Sequence, residues 1–150
     1  MTDTDAIHRT ITIAAPIDRV WAYLTERDKI AAWLMPNTFV PETGRRFTMD
    51  CPPGIGSGAP IACAVTECVP PADGRARLAY TWAIDRPPIE TLLTIELTGT
   101  AATTRLDLVH SGWSQLDPAD AYVRDRHEQG WDVLLTQHLM PLVVGKAPGA

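Results

Sequence analysis

The sequence is short of positive charge, of cysteine and of long apolar runs, and each shortage removes a class of function. Thirteen Lys and Arg stand against eighteen Asp and Glu, for a net charge of −5. Such a chain repels a phosphate backbone on average, so no nucleic-acid partner is expected. No apolar run approaches the ~18 residues of a membrane span, so no membrane insertion is expected. The opening Met1-Thr2-Asp3-Thr4-Asp5 is acidic and polar. It has neither the basic nor the apolar region of a signal peptide. Three cysteines, Cys51, Cys63 and Cys68, are sparse and odd in number, which is no disulfide framework. A reducing cytoplasm is the expected location. The odd offset between Cys63 and Cys68 puts them on opposite faces of a strand, unable to share a zinc ion. They read as small buried hydrophobes. Gly54-Ile55-Gly56-Ser57-Gly58 has glycine spacing, yet no Lys and no following helix, so it fails as a phosphate loop. No Ser/His/Asp constellation stands in a supporting context. No catalytic residue, metal or cofactor is therefore assigned.

What is present suits one soluble domain over residues 1–150, with 45% hydrophobic and 21% charged residues. Residues 7–14 alternate as a strand, with Ile7, Ile11 and Ile13 sharing a face with Arg9. Pro16 stands where a helix begins, and Ile17, Val20, Trp21 and Leu24 make one apolar stripe. Thr25 with Asp28 resembles a capping box for a second helix over Glu26–Trp33, ending before Pro36. Strands then follow at Arg45–Asp50, Ile61–Val69, Arg75–Ile84, Ile89–Thr98 and Thr103–His110. The Pro- and Gly-rich stretch Cys51–Gly58 is a loop. Turns fall at Asp73-Gly74, at Asp85-Arg86-Pro87-Pro88 and at Gly99. Connections this short make antiparallel neighbours, so strands 2 to 6 form a meander.

Asp117 as N-cap and Pro118 as first helical residue open one long amphipathic helix. Its stripe is Tyr122, Val123, Trp131, Leu134, Leu135, Leu139, Leu142 and Val143, and Pro141 kinks or ends its last turn. The tail Gly145–Ala150 is expected to fray. The order is β-α-α-β-β-β-β-β-α, and the long helix supplies the cover for the sheet's apolar face. A curved sheet around one helix leaves room for a small apolar ligand wherever the side chains between them are short.

Parity places Phe47, Met49 and Cys51, then Ile61, Cys63 and Val65, on the inner face. Leu78, Tyr80, Trp82 and Ile84, then Leu93, Ile95 and Leu97, and finally Leu106, Leu108 and His110 complete it. Arg75, Arg77, Thr81 and Asp107 face outward. Asp107 thus cannot form a dyad with His110. His110 is the informative residue, either a core histidine with satisfied nitrogens or a polar group that orients a ligand or moves a proton. His127, four residues before Trp131, could face inward, and His138 could line the far end. Trp82, Trp113 and Trp131 are candidate aromatic walls. Tyr80 carries inward a hydroxyl that needs a partner.

These pieces resemble the SRPBCC (START/Bet v 1-like) superfamily, and within it the activator of Hsp90 ATPase homologue 1-like family. The resemblance rests on Ile13-Ala14-Ala15-Pro16-Ile17-Asp18-Arg19-Val20-Trp21, Ala32-Trp33-Leu34 and Gly44-Arg45-Arg46-Phe47. It rests also on Leu78-Ala79-Tyr80-Thr81-Trp82, His110-Ser111-Gly112-Trp113 and Gly130-Trp131 with the leucines that follow. It spans about residues 7–143. It implies an α+β helix-grip fold, a curved antiparallel six-stranded sheet around a long C-terminal helix with an apolar cavity between them. It also implies that Gly130 lets that helix approach a neighbour closely. Superfamily members bind lipids, hormones or polyketides, and some are cyclases. The eukaryotic Hsp90 activator carries a further N-terminal domain that this chain is too short to contain, which argues against Hsp90 as the partner.

The leading expectation is a binding module for a small hydrophobic molecule. Its lining would be Phe47, Met49, Tyr80, Trp82, Leu93, Leu106, Leu108, His110, Trp131 and Leu134, with Tyr80 and His110 setting orientation. The first alternative is a cyclase, dehydratase or hydrolase using His110 as acid/base. The second is a partner-binding protein of the Hsp90 co-chaperone kind. A homodimer is compatible with either.

Overall fold

The computed structural model describes residues 5–51, 59–85 and 87–144, and among them six strands form one curved antiparallel sheet. Its order is β1-β6-β5-β4-β3-β2. The strands are β1 (Ile7–Ile13), β2 (Arg46–Met49), β3 (Ile61–Ala72), β4 (Arg75–Asp85), β5 (Pro88–Gly99) and β6 (Thr104–Ser111). Strands 2 to 6 make the expected meander, and β1 adds beside β6 with Ile7 opposite His110. Helices α1 (Ile17–Thr25) and α2 (Arg27–Trp33) lead from β1 towards β2. The glycine-rich run from 52 to 58, Arg86 of the β4–β5 turn, the first four residues and the tail from 145 to 150 lie outside the described residues.

The β3–β4 turn takes its shape from two residues. Asp73 and Gly74 both have positive φ, 52° and 74°, as a type I′ hairpin requires. The Gly99 N–H donates to the Gly74 carbonyl at 2.8 Å. A Cβ on Gly74 would sit 2.7 Å from the Gly99 oxygen, so the two turns meet through bare backbone. At the same end of the sheet Thr104 stands opposite Gly99, and its buried hydroxyl donates to the Ala15 carbonyl at 2.8 Å, tying β6 to the start of α1.

Several local expectations are corrected. Strand β3 runs to Ala72, three residues past Val69, and includes Pro70 and Pro71. The short β2 pairs only with Ile61–Ala64, so beyond the Val65 region β3 is an edge strand, where proline removes no ladder bond. The register slips between Val65 and Glu67. This bulge reverses the parity, so Cys68 stands opposite Leu78 on the same inner face as Cys63. Burial pushes the Cys63 thiol up to about 12, which keeps it protonated. Thr25 caps nothing. Its hydroxyl back-bonds to the Trp21 carbonyl at 2.8 Å within α1, and α2 begins after Glu26 without a side-chain cap.

The last helix differs most. Asp117-Pro118 opens a 3-10 turn (Pro118–Asp120) rather than a capped α-helix. There follow α3 (Ala121–Val133), a π-helical stretch (Leu134–Leu139) and α4 (Met140–Val144), so Pro141 does not end the helix. Its buried residues include Trp131, Leu135, Leu139 and Val143, a repeat of four. At 3.6 residues per turn that repeat drifts about 120° over three turns. The wider π turn removes the drift, and it also relieves the clash of the Pro141 ring with the preceding turn. Tyr122 (51% exposed), half a turn around α3 from Trp131, and Leu142 (36%) lie outside the core. Tyr122 instead lies under the Arg126 guanidinium, 5.1 Å from the ring centre. Arg9, on the inner parity of β1, reaches across to Asp132 (2.5 Å) and Glu128 (3.1 Å) and seats α3 against that edge.

Gly130 does not act as a close-approach residue, because a Cβ there would meet nothing within 4 Å outside its own helix. It is simply a glycine inside α3. Gly130→Ala is therefore expected to raise stability by about 0.5–1 kcal/mol. Gly74→Ala, placed at positive φ against a carbonyl, is expected to lower it by about 1–3 kcal/mol. Urea midpoints moving in opposite directions for the two variants check this reading.

Candidate functional site

Nine of the ten expected lining residues are buried: Phe47, Met49, Tyr80, Trp82, Leu93, Leu106, Leu108, His110 and Trp131. Leu134 is only partly buried and packs at the core's margin, because the π turn hands its place to Leu135 and Leu139. Tyr80, Leu93 and His110 fall on one cross-strand row through β4, β5 and β6. At one end of this face Phe47 and Tyr80 meet edge to face at 5.0 Å, and Phe39 joins them at 5.0 Å from Phe47. Sequence patterning had missed Phe39, which lies in no periodic element. An Asn37 side chain that donates to the Met35 and Arg27 carbonyls and accepts from the Phe39 N–H turns it inward.

The other end holds five rings from four elements. His110 of β6 lies 4.8 Å from Trp113, 5.4 Å from Trp82, 5.7 Å from His127 and 5.9 Å from Trp131, between ring centres. Trp113 sits in a 3-10 turn just after β6. Gly112 makes that turn with φ of 105°. The Trp113 backbone N–H donates to the Asp5 carbonyl at 3.0 Å, and the Ser114 hydroxyl donates to the Asp5 carboxylate at 2.6 Å. These Ser114 bonds hold the Asp5 carboxyl below its ordinary value.

Hydrogen bonds assign the protons. The Trp131 indole N–H donates to His110 Nδ1 at 3.0 Å, so Nδ1 is an acceptor. Thr91 Oγ1 donates its one hydrogen to the Trp82 carbonyl at 2.8 Å and stands 2.7 Å from His110 Nε2. The Nε2 of His110 must therefore carry the hydrogen and donate it to Thr91. His127 is the reverse tautomer. Its Nδ1–H donates to the Val123 carbonyl at 2.8 Å, and its Nε2 accepts the Trp82 indole N–H at 3.3 Å. The sheet thus offers an indole to a helix imidazole, and the helix offers an indole to a sheet imidazole.

Both rings are neutral in this arrangement. Burial first, and the neighbouring His127 second, hold the His110 imidazole well below its ordinary 6.5. Burial also lowers His127, opposed in part by its bond to Val123. Of the two readings of His110, the geometry is that of a core histidine with both nitrogens engaged, its partners being Thr91 and Trp131. Proton transfer through this ring would first have to break one of those bonds.

His127 was read from the sequence, and Thr91 was missed although its parity could have found it. Thr91 shares the parity of Leu93, and His127 the helical stripe of Trp131. His138, expected at the far end, is exposed instead. Arg77, outward as expected, pairs with Glu67 at 2.6 Å and Glu96 at 2.8 Å. On the same outer face Thr10 donates to Asp107 at 2.6 Å. A half-open hollow of about 280 Å³ beside Val69, Arg75, Arg77 and Thr98 lies apart from the ring cluster.

A curved antiparallel sheet closed by one long C-terminal helix defines the helix-grip class of domain. The sequence model described as activator of Hsp90 ATPase homolog 1-like protein matches residues 14–142, and the chain belongs to that family. Membership supports a ligand-binding domain. Among solved structures, a Mesorhizobium loti protein superposes with a TM-score of 0.78 at 23% identity, covering 95% of this chain and 98% of that one. A Bacillus halodurans protein gives 0.74 at 28% identity, covering 96% and 99%. The Aha1 dimer of Colwellia psychrerythraea gives 0.71 at 17% identity, covering 95% and 98%. No curated protein matches the chain significantly. None of its described helices is long and apolar enough to cross a membrane.

Two buried neutral histidines bind protons more readily when the chain unfolds. Their contribution to stability is complete above about pH 6.5 and is lost as pH falls towards their lowered folded values. The slope of that loss has an upper limit of about 1.4 kcal/mol per pH unit for each histidine. Urea unfolding between pH 7.5 and 5.5 measures the slope, and His110→Phe should flatten it. Thr91→Val strands the His110 Nε2–H and should cost about 1–3 kcal/mol at pH 7.5.

Proposed function

We propose that this protein is a binding module for a small, neutral, hydrophobic molecule held between the inner face of the sheet and α3. The observation that carries the reading is the makeup of that face. The fully buried polar side chains among the described residues are Thr91, Thr104 and His110, and none of them is charged. Thr91 and His110 satisfy each other, and Thr104 binds the Ala15 carbonyl. What faces the helix is therefore aliphatic and aromatic surface, which gives affinity by removing apolar area from water. Family membership points the same way.

The lining is that expected from parity, with Leu135 and Leu139 taking the part of Leu134. Tyr80 sits on the central row and supplies a polar contact from the wall. His110 contributes a ring face and holds Trp131 in position. The fixed tautomer of His110 disfavours the acid/base alternative. The low pH at which this ring protonates suits a site that stays uncharged in a neutral cytoplasm.

Binding to the folded state alone stabilises it by about 2.7 kcal/mol at a ligand concentration of one hundred times Kd. In a domain of this size that raises Tm by about 5–10 °C. A panel of naphthalene-sized neutral compounds, followed by thermal shift and tryptophan fluorescence, is expected to include binders of this strength. A panel in which no compound moves Tm or the emission of the ring cluster refutes the assignment.

A further inference from the structure

Of the four buried indoles, three have acceptors. Trp33 donates to the Tyr23 carbonyl at 2.7 Å, Trp82 to His127 and Trp131 to His110. The fourth, Trp113, is 2% exposed, and its Nε1–H meets no acceptor among the described residues. Leaving such a donor unpaired in a core costs about 1–3 kcal/mol. Native structures rarely tolerate this without an added group that accepts the hydrogen. Trp113 packs against both histidines, 4.8 Å from His110 and 4.6 Å from His127. Neither ring can relieve it through its acceptor nitrogen, because each of those already takes an indole N–H.

We infer that Trp113 Nε1–H is the hydrogen-bond donor that selects the ligand, and that the ligand presents a neutral acceptor, such as a ketone, aldehyde or quinone carbonyl, on an otherwise apolar body. The inference rests on the binding role proposed above and names its chemistry. A donor-bearing ligand gains nothing from the imidazoles, whose acceptor nitrogens are taken. A carboxylate is disfavoured because the buried polar side chains among the described residues include no cation to face it. The turn that presents Trp113 is held from outside the core by Asp5 and by Gly112, so the indole is placed in advance of binding.

Two probes of matched shape test this, 2-acetylnaphthalene and 2-ethylnaphthalene. Titration into the full chain is followed by calorimetry and by the indole proton–nitrogen resonances, the Trp113 signal being identified by its loss in Trp113→Phe. The ketone is expected to bind about tenfold more tightly than the hydrocarbon. It should move the Trp113 indole proton downfield, the hydrocarbon should not, and Trp113→Phe should reduce the ratio to near one. A ketone that binds while the Trp113 signal stays still overturns the donor assignment and leaves the binding module standing. So does an unchanged ratio in Trp113→Phe. Failure of both probes to bind overturns the two together. Should Trp113→Phe fail to fold, the Trp113 indole signal is assigned in the wild-type chain by sequential connectivity through Gly112 and Ser114, and the wild-type shift decides alone.

Discussion

The contact between sheet and helix turns on a reciprocal pair of hydrogen bonds. Trp131 of the helix donates to His110 of the sheet, and Trp82 of the sheet donates to His127 of the helix. A helix lying on an apolar sheet is held by non-directional forces and could slide or rotate at little cost. Two directional bonds with opposite senses remove that freedom, because no single shift of the helix keeps both. They also demand one tautomer of each imidazole. The Val123 carbonyl enforces it for His127, and Thr91 together with the Trp82 carbonyl enforces it for His110. A polar network is safe in a core only when every member has a partner. Here the satisfied members define the geometry, and the Trp113 indole N–H, which meets no acceptor among the described residues, marks where the chemistry remains open.

The π-helical stretch belongs to the same constraint. Trp131 must stand over His110, while Leu135, Leu139 and Val143 must bury their side chains along the face beyond it. A straight α-helix cannot hold four residues spaced by four on one line. Widening one turn resolves the conflict, and Pro141 just beyond the stretch lacks the N–H that regular winding would have used. The Arg19 guanidinium then donates to the Val143 carbonyl and ties the helix end to α1. The Arg9 pairings do the same for the middle of the helix from the edge of the sheet.

Family and fold leave the occupant of the site unspecified, since one framework hosts many functions. The side chains narrow the choice. The fully buried residues of the inner face carry no charge, both imidazole acceptors are used, and the Trp113 indole N–H meets no acceptor among the described residues. The site as proposed takes neutral molecules equipped with an acceptor. It also disfavours acid/base chemistry at His110, whose Nε2–H is donated to Thr91 and whose Nδ1 accepts from Trp131.

Alternation along the strands determined which residues face inward, because the side-chain period of two leaves no choice once one face is apolar. Tyr80, Trp82, Leu93, Leu106, Leu108 and His110 followed directly from it. The Asp73-Gly74 turn, with both residues at positive φ, was equally legible, since few residue pairs accept that backbone. Tertiary structure decided everything that depends on two elements meeting. The bulge in β3 turned Cys68 to the inner face, and the widened turn of the helix exchanged Leu134 for its neighbours. The His110 tautomer was set by Thr91 and Trp131, far away in the chain, whereas the His127 tautomer was set by Val123 one helical turn back and by the distant Trp82. Periodicity reports the direction of one side chain from its own backbone, whereas hydrogen-bond partnership and helix phase are fixed by distances between backbones that only the folded chain brings together.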